Sequence, residues 1–275
     1  MRIDGFILAA GLGTRMGALS RVLPKPAWTL NGRSLLDLSA QSLRDAGLNH
    51  LACNAHHLPE RLREGAGPDL EICVEPRLLG SAGGLSHVRD RAADPLAVWN
   101  ADALGAVPWT PFLAEHRRRQ ADLSWLLVPH PGGPWNPVYL DEAGQVLPVG
   151  QRSPDGPYHF TGASLWGAAA LALLDGTVQD TKRDILPRVG RPAGIVVPPF
   201  PWIEVGSPDQ LVAAAAALAP EAEGRFPGSY VHPEAQVAPG VVLHRCILGP
   251  GVALGRDDAQ AFWFMEAGNL VRLPL

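Results

Sequence analysis

Apolar residues in this chain come in short runs that alternate with stretches of helical spacing, and the alternation continues through about residue 218. Ile3–Ala10 reads as a buried strand that runs straight into the glycines Gly11 and Gly13. Leu35–Ala46 carries apolar residues on one helical face, with Gly47 placed to stop it. Strands are expected at Leu51–Asn54 and Leu70–Val74, a helix beginning near Ala82, a strand at Leu96–Trp99, a helix over Pro111–Gln120 and a strand at Leu123–Val128. Val138–Leu140 and Val146–Val149, separated by the turn-forming residues Asp141 to Gly144, pattern as a hairpin. Phe160–Trp166 and Ile195–Val197 complete the strands. The last helix is Ser207–Leu218, with Ser207 as its cap and Pro208 in its first turn.

Strands alternating with helices predict an α/β fold: a Rossmann-like three-layer domain with a mostly parallel mixed sheet. In such sheets ligands sit beyond the carboxyl ends of the strands. The Gly11–Gly13 loop, Asp102 and the segment after Val74 all fall at such ends.

After residue 220 the pattern changes. Val231, Val237 and Leu243 are six apart, and after a slip of one residue Leu248 and Leu254 are again six apart. A six-residue period with Pro-Gly corners predicts a short C-terminal left-handed parallel β-helix. The division is therefore 1–220 for the main domain and 221–275 for the tail. So few repeats cannot bury their own face, so the tail should lean on the main domain or form a homo-oligomer contact with a second copy. The apolar run Ala261–Met265 would supply part of that contact.

Composition narrows the partners. The chain has 275 residues and a net charge of −4, so no broad field favours nucleic acid or an anionic membrane. No apolar run approaches the ~18 residues of a membrane span, and the N-terminal run Phe6–Ala10 is too short for a signal peptide, so a cytoplasmic location is expected. Cys53, Cys73 and Cys246 are an odd, scattered set that suggests neither disulfides nor zinc. Any anion site must be local. Arginine is abundant, yet Lys25 and Lys182 are the only lysines. A lysine kept against that excess points to a need for a compact ammonium rather than a planar fork.

The chemistry gathers in Phe6–Pro26. Gly11 and Gly13 let backbone N–H groups approach a phosphate, and a following helix would add its dipole. The spacing is neither the dinucleotide G-x-G-x-x-G nor a Walker loop, which disfavours a dinucleotide-dependent oxidoreductase. Arg15 lies inside the loop, and Lys25 is held between Pro24 and Pro26, which stiffen its backbone. The pair His56-His57 has no accompanying carboxylates and reads as a loop after a strand rather than a metal site.

"LAAGLGTRMGALSRVLPKP" resembles the signature of the sugar-1-phosphate nucleotidylyltransferases. The likeness continues in order through "EPRLLGSAGGL", "WNADAL", "FTGASLW", "DTKRDILPRV" and "WIEVGSPDQL", over roughly residues 1–218. The resemblance implies transfer of a nucleoside monophosphate from an NTP to a sugar 1-phosphate. It places Arg15 and Lys25 in catalysis and gives Ala10, Gly11, Gly13 and Thr14 to the phosphates. Gly80, Ser81, Ala82 and Gly83 would read the base, and Gly162 and Lys182 would bind the sugar phosphate. Asp102 and Glu204 would bind Mg2+. Two departures stand out: Glu204 replaces the family's usual aspartate, and no E-K-P lysine precedes the sugar strand. The "LGSAGGL" loop looks like that of guanylyl members acting on a mannose- or heptose-like phosphate. A uridylyltransferase for an amino sugar phosphate such as N-acetylmuramate 1-phosphate is the near alternative. A non-catalytic sugar-nucleotide-binding homologue also fits the two departures, while the tail is too short for an acyltransferase site.

Overall fold

A computed structural model of the chain describes residues 2–133, 135–218, 226, 228–241, 243 and 246–254, together with the backbone of 263–266 and 269–272. Apart from the short pair Thr29–Leu30 and Arg33–Ser34, the strands of its main domain are β1 (Ile3–Leu8), β2 (Leu51–Ala55), β3 (Leu70–Val74), β4 (Ala92–Asn100), β5 (Ala103–Gly105), β6 (Leu123–Pro129), β7 (Tyr158–Trp166), β8 (Pro192–Val196) and β9 (Trp202–Glu204). Seven of these form one sheet in the order β8-β6-β7-β4-β1-β2-β3. Only β7 runs antiparallel to its neighbours, β4 and β6; every other pairing in the sheet is parallel. The expected mixed, mostly parallel sheet is therefore present.

Both faces of the sheet are covered, which is why its strands read as continuous apolar runs. Phe6 and Ile7 are adjacent, point to opposite faces, and are both fully buried. Ile7 joins the cluster that holds Trp28, Trp99 and Trp109. Phe6 joins the cluster on the other face, with Val98, Trp125 and Trp166. Helix α1 (Leu35–Asp45) starts where the Ser34 hydroxyl accepts from the Asp37 N–H at 3.0 Å, and it buries Leu35, Leu36, Ala40 and Leu43. Helix α2 (Trp109–Arg119) and helix α3 (Pro208–Leu218) lie close to their expected bounds.

Three local expectations are corrected. The residues after the glycine loop form not an α-helix but 3-10 turns over Thr14–Arg21, kinked at Gly17, where φ is 57°, so only a short turn rather than a full helix begins at the loop. The helix near Ala82 is a single turn, Gly80–Gly83, continued by a 3-10 turn. The hairpin over residues 138–149 is present only near its turn, where Leu140 bridges Val146, the Asp141 N–H donates to the Gln145 carbonyl at 3.0 Å and the Leu147 N–H to the Tyr139 carbonyl at 2.9 Å, while Val138 pairs with Tyr158 and Gln145 with Ala193. Neighbouring strands of the main sheet compete successfully for those backbone groups.

Of the tail, β10 (Tyr230–Val231) pairs in parallel with β12 (Cys246–Leu248), and β11 (Gln236–Val237) with β13 (Ala253–Leu254). Strands β14 (Trp263–Glu266) and β15 (Asn269–Arg272) form an antiparallel pair beside β12. The tail leans on the main domain. Tyr230 packs edge-on against Trp28, 5.6 Å between ring centroids, and its hydroxyl donates to the Thr29 carbonyl at 2.8 Å. The side chains of Ala261–Met265, assigned a contact role from sequence, lie outside the described residues, as does much of 221–275.

Candidate active site

The carboxyl ends of β1, β2 and β3 meet at a buried polar network. The Asn54 side-chain Oδ1 accepts from the Ala9 N–H at 2.7 Å and the Ala10 N–H at 3.3 Å. The Asn54 amide donates to Glu75 Oε1 at 2.7 Å, and Glu75 Oε2 accepts from the Leu79 N–H at 3.0 Å. Two buried side chains thus lock the start of the glycine loop to the start of the Gly80 loop. Every polar atom of that link has a partner, as a buried network requires. Gly84 is obligatory here, since a Cβ would come within 2.5 Å of Asn54 Nδ2 and 2.7 Å of Glu75 Oε1.

The Gly80 loop is tied to the segment around Asp180. The Ala82 and Gly83 N–H groups both donate to the Gln179 carbonyl, at 3.0 and 3.2 Å. Ser81 donates to Asp180 Oδ2 at 3.1 Å and accepts from the Thr181 N–H at 2.9 Å. Gly80, at φ 80°, leaves no room for a Cβ against the Gln179 carbonyl. A cavity of about 330 Å³ opens in front of these loops, lined by Ala10, Gly11, Lys25, Asn54, Gly80, Ser81 and Asp102, among others. Ala82 and Gly83 are buried behind it. Gly13 and Thr14 stand outside its lining; Gly13, at φ 62°, would bring a Cβ to 3.3 Å from Lys25 Cβ.

A second cavity of about 380 Å³ adjoins the first and shares Asn100 and Asp102 with it; Arg15, Trp135, His159, Gly162, Lys182 and Glu204 are among its walls. Asp102 follows β4. The short antiparallel pair β5–β9 sets Glu204 opposite Ala103, and the Val205 N–H donates to the Asp102 carbonyl at 2.7 Å. Two carboxylates thereby face one cavity from neighbouring strand ends. Each has a cation: Lys25 Nζ lies 2.5 Å from Asp102 Oδ2, and Arg15 Nη2 lies 2.9 Å from Glu204 Oε1. The first pair is mostly buried, whereas the Arg15 side chain is 61% exposed. Its guanidinium lies on Gly206, where a Cβ would meet Nη2 at 2.6 Å.

Gly162 sits where the β6–β7 register shifts, at φ 96°, and a Cβ there would press on Asn100 and Ala103. Lys182 projects toward the same cavity, with Nζ 5.8 Å from the Trp125 ring centroid. Burial pushes its pKa down, and the nearby Asp180 carboxylate offsets part of that. His159 stacks on Trp202 at 5.0 Å, and Trp135 packs edge-on against both. Burial, helped by neighbouring His130, lowers the His159 pKa, and its Nδ1 is buried without a hydrogen-bond partner.

Arg15, Lys25, Asp102, Gly162, Lys182 and Glu204, six residues singled out from five separate stretches of sequence, therefore converge. Sequence reasoning missed Asn54, Glu75, Trp135, His159 and Trp202 as parts of the site. Asn54 carried a usable signal: an amide inside the apolar strand Leu51–Ala55 needs a buried partner. His56 and His57 do not face each other over a ligand; their rings bond the Glu75 and Ser20 carbonyls. Among the described residues no group of three or more His, Cys, Asp or Glu gathers as a metal cage. The donor set that does exist, Asp102 and Glu204, suits a hard cation such as Mg2+, which takes one or two carboxylates and fills its remaining positions with phosphate oxygens and water. No helix of the described residues is long and apolar enough to cross a membrane.

Residues 5–153, more than half of the chain, match the model of the MobA-like NTP transferase domain. A probable mannose-1-phosphate guanylyltransferase of Oryza sativa subsp. japonica is 24% identical over 93% of this chain and 75% of its own length. A UTP–glucose-1-phosphate uridylyltransferase of Synechocystis is 25% identical over 98% of this chain and 75% of its own. Among solved structures, HddC from Yersinia pseudotuberculosis complexed with GMP-PN superposes with a TM-score of 0.66 at 19% identity, over 78% of this chain and 99% of that one.

Proposed function

The chain belongs to the family of MobA-like NTP transferase domains, and on that premise we propose that it transfers a nucleoside monophosphate from an NTP to a sugar 1-phosphate. The observation that carries this reading is the pair of adjoining cavities with Asn100 and Asp102 on their common wall. One is bounded by the glycine loop and the Gly80 loop and suits a nucleotide. The other is bounded by Gly162, Lys182 and an aromatic wall and suits a sugar phosphate. The cations Lys25 and Arg15 stand near their meeting point.

In the reaction a phosphate oxygen of the sugar 1-phosphate attacks the α-phosphorus of the NTP. The new oxygen–phosphorus bond forms as the bridge to the β-phosphate breaks, and pyrophosphate leaves with the electron pair. Little covalent work falls to the protein; positioning and charge stabilisation carry the rate. Lys25 supplies a point charge at the α-phosphate. Arg15 offers its exposed fork to the outer phosphates. Ala10, Gly11, Gly13 and Thr14 shape the phosphate loop, and Gly80 and Ser81 face the base, while Ala82 and Gly83, buried and bonded to Gln179, brace the turn from behind. Gly162 leaves room for the sugar, and Lys182 holds its phosphate in place of the missing E-K-P lysine. Asp102 and Glu204 would hold Mg2+, which when bound neutralises charge on the triphosphate.

The guanylyltransferase names among the relatives favour GTP with a mannose-like 1-phosphate. The uridylyltransferase relative keeps UTP with another sugar phosphate, N-acetylmuramate 1-phosphate included, as the second reading. The tail's parallel pairs 17 residues apart in register are consistent with one coil of a β-helix, available for contact with a second copy. Incubation with a panel of NTPs and sugar 1-phosphates plus Mg2+ tests the proposal. Pyrophosphate should appear for at least one pair, GTP with mannose 1-phosphate first. Nucleotide binding with no pyrophosphate from any pair would overturn transfer in favour of a binding homologue.

A further inference from the structure

The geometry points to Trp135 as a positioning residue for Arg15, acting through Glu204 and joining the sugar side of the site to the triphosphate side. Both oxygens of Glu204 are engaged: Oε1 accepts from Arg15 Nη2, and Oε2 accepts from the Trp135 indole N–H, each at 2.9 Å. The carboxylate is thus gripped from two directions, and its rotation about the last side-chain bond is fixed. Arg15 spends one of its five N–H donors on this contact, so the rest of the fork remains for phosphate oxygens. Gly206 lets the guanidinium rest directly on backbone, where any Cβ would collide with it.

Trp135 is itself held. Its ring packs edge-on against His159 and Trp202. Its carbonyl accepts from His130 Nε2 at 3.1 Å, while His130 Nδ1 accepts from the Gly132 N–H at 3.0 Å. One neutral tautomer, with hydrogen on Nε2, satisfies both bonds. Gly132 and Trp135 are thereby tied to one imidazole, and Trp135 stands in the wall of the second cavity as a strap, its indole nitrogen reaching the carboxylate that orients Arg15. A sugar that shifts the Trp135 ring must change the grip on Glu204, and through it the aim of Arg15. This inference rests on the transfer reading for the identity of the ligands, not for the strap itself.

The test is a double-mutant cycle of Trp135→Phe and Arg15→Lys. Phenylalanine keeps ring packing and removes only the N–H donor. Loss of a hydrogen bond to a charged group predicts a fall in kcat of roughly tenfold, with KM for the sugar phosphate changed less than twofold. In the Arg15→Lys background the same change should cost less than twofold, because the fork it orients is gone. Glu204→Gln, which keeps the chain length, should also mask the effect of Trp135→Phe. Equal effects of Trp135→Phe in both backgrounds, or an effect confined to KM for the sugar phosphate, would overturn the strap. An inactive wild type would instead defeat the transfer reading, and the same cycle read on NTP affinity by calorimetry would then decide the strap alone.

Discussion

Lys25 and Asp102, 77 positions apart in sequence, form a mostly buried ion pair of 2.5 Å at the wall shared by two cavities. The pair neutralises two charges that would otherwise repel phosphate on one side and go unpaired on the other. Lys25→Ala should lower kcat by ~10²–10³, the usual cost of removing one donor to a developing oxyanion, with a smaller change in KM for the NTP. Steady-state kinetics with the active substrate pair reads this directly. Turnover near that of the wild type would remove Lys25 from the chemistry. Removing one partner also leaves the other charge without its mate, so the melting temperature should fall as well.

Asn54 is the pin between the glycine loop and the Gly80 loop. Asn54→Ala strands the Ala9 N–H and one oxygen of the buried Glu75 carboxylate. Unsatisfied buried groups of this kind cost about 1–3 kcal/mol each. The expected outcome is a clear loss of stability in urea unfolding together with weaker NTP binding. A variant that binds NTP as the wild type does would show that the network supports the core alone.

How much of this was legible in the sequence follows from the range over which each residue acts. Arg15 and Lys25 announce themselves because glycines and prolines set their backbone locally. Asp102 and Glu204 sit at strand ends inside short motifs, and their meeting across β5–β9 needed only the sheet to form. Trp135 gave no such signal. It lies in a Pro/Gly-rich segment, and its role depends on Glu204, 69 positions away. His159 stands one residue before the expected strand Phe160–Trp166 and carried no signal of its own. The hairpin over 138–149 is short for the same reason: local turn chemistry formed its tip, but Tyr158 and Ala193 offered longer-range partners to Val138 and Gln145.

Lys182 gives the site a pH dependence with a defined sign. Burial favours its neutral form, so in the free enzyme it loses its proton at a lower pH than an exposed lysine. If the charged form binds the sugar phosphate, kcat/KM for that substrate must fall on the alkaline side, below pH 10.5, the ordinary value for lysine. Lys182→Arg, which stays protonated, should abolish that alkaline limb even where it lowers the plateau. An unchanged alkaline limb in the variant would assign the ionisation to another group.

Tyr230 tests how the tail supports the site. Its ring packs on Trp28, three residues beyond Lys25, and the Trp28 N–H closes the Lys25 turn by donating to the Lys25 carbonyl at 3.3 Å. The Tyr230 hydroxyl bonds the Thr29 carbonyl, and burial raises its pKa from 10.0 to about 12. For an acid whose pKa is raised on folding, the native state holds its proton longer than the unfolded chain. The stability it contributes is therefore complete below pH 10 and is lost as pH rises from 10 to about 12. Tyr230→Phe should cost about 1 kcal/mol at neutral pH for the lost hydrogen bond and should flatten the alkaline decline in urea-unfolding midpoints. Because Phe keeps the ring against Trp28, turnover should change little. A drop in kcat as large as that of Lys25→Ala would mean that the Thr29 bond, rather than ring packing, holds the Lys25 turn in register.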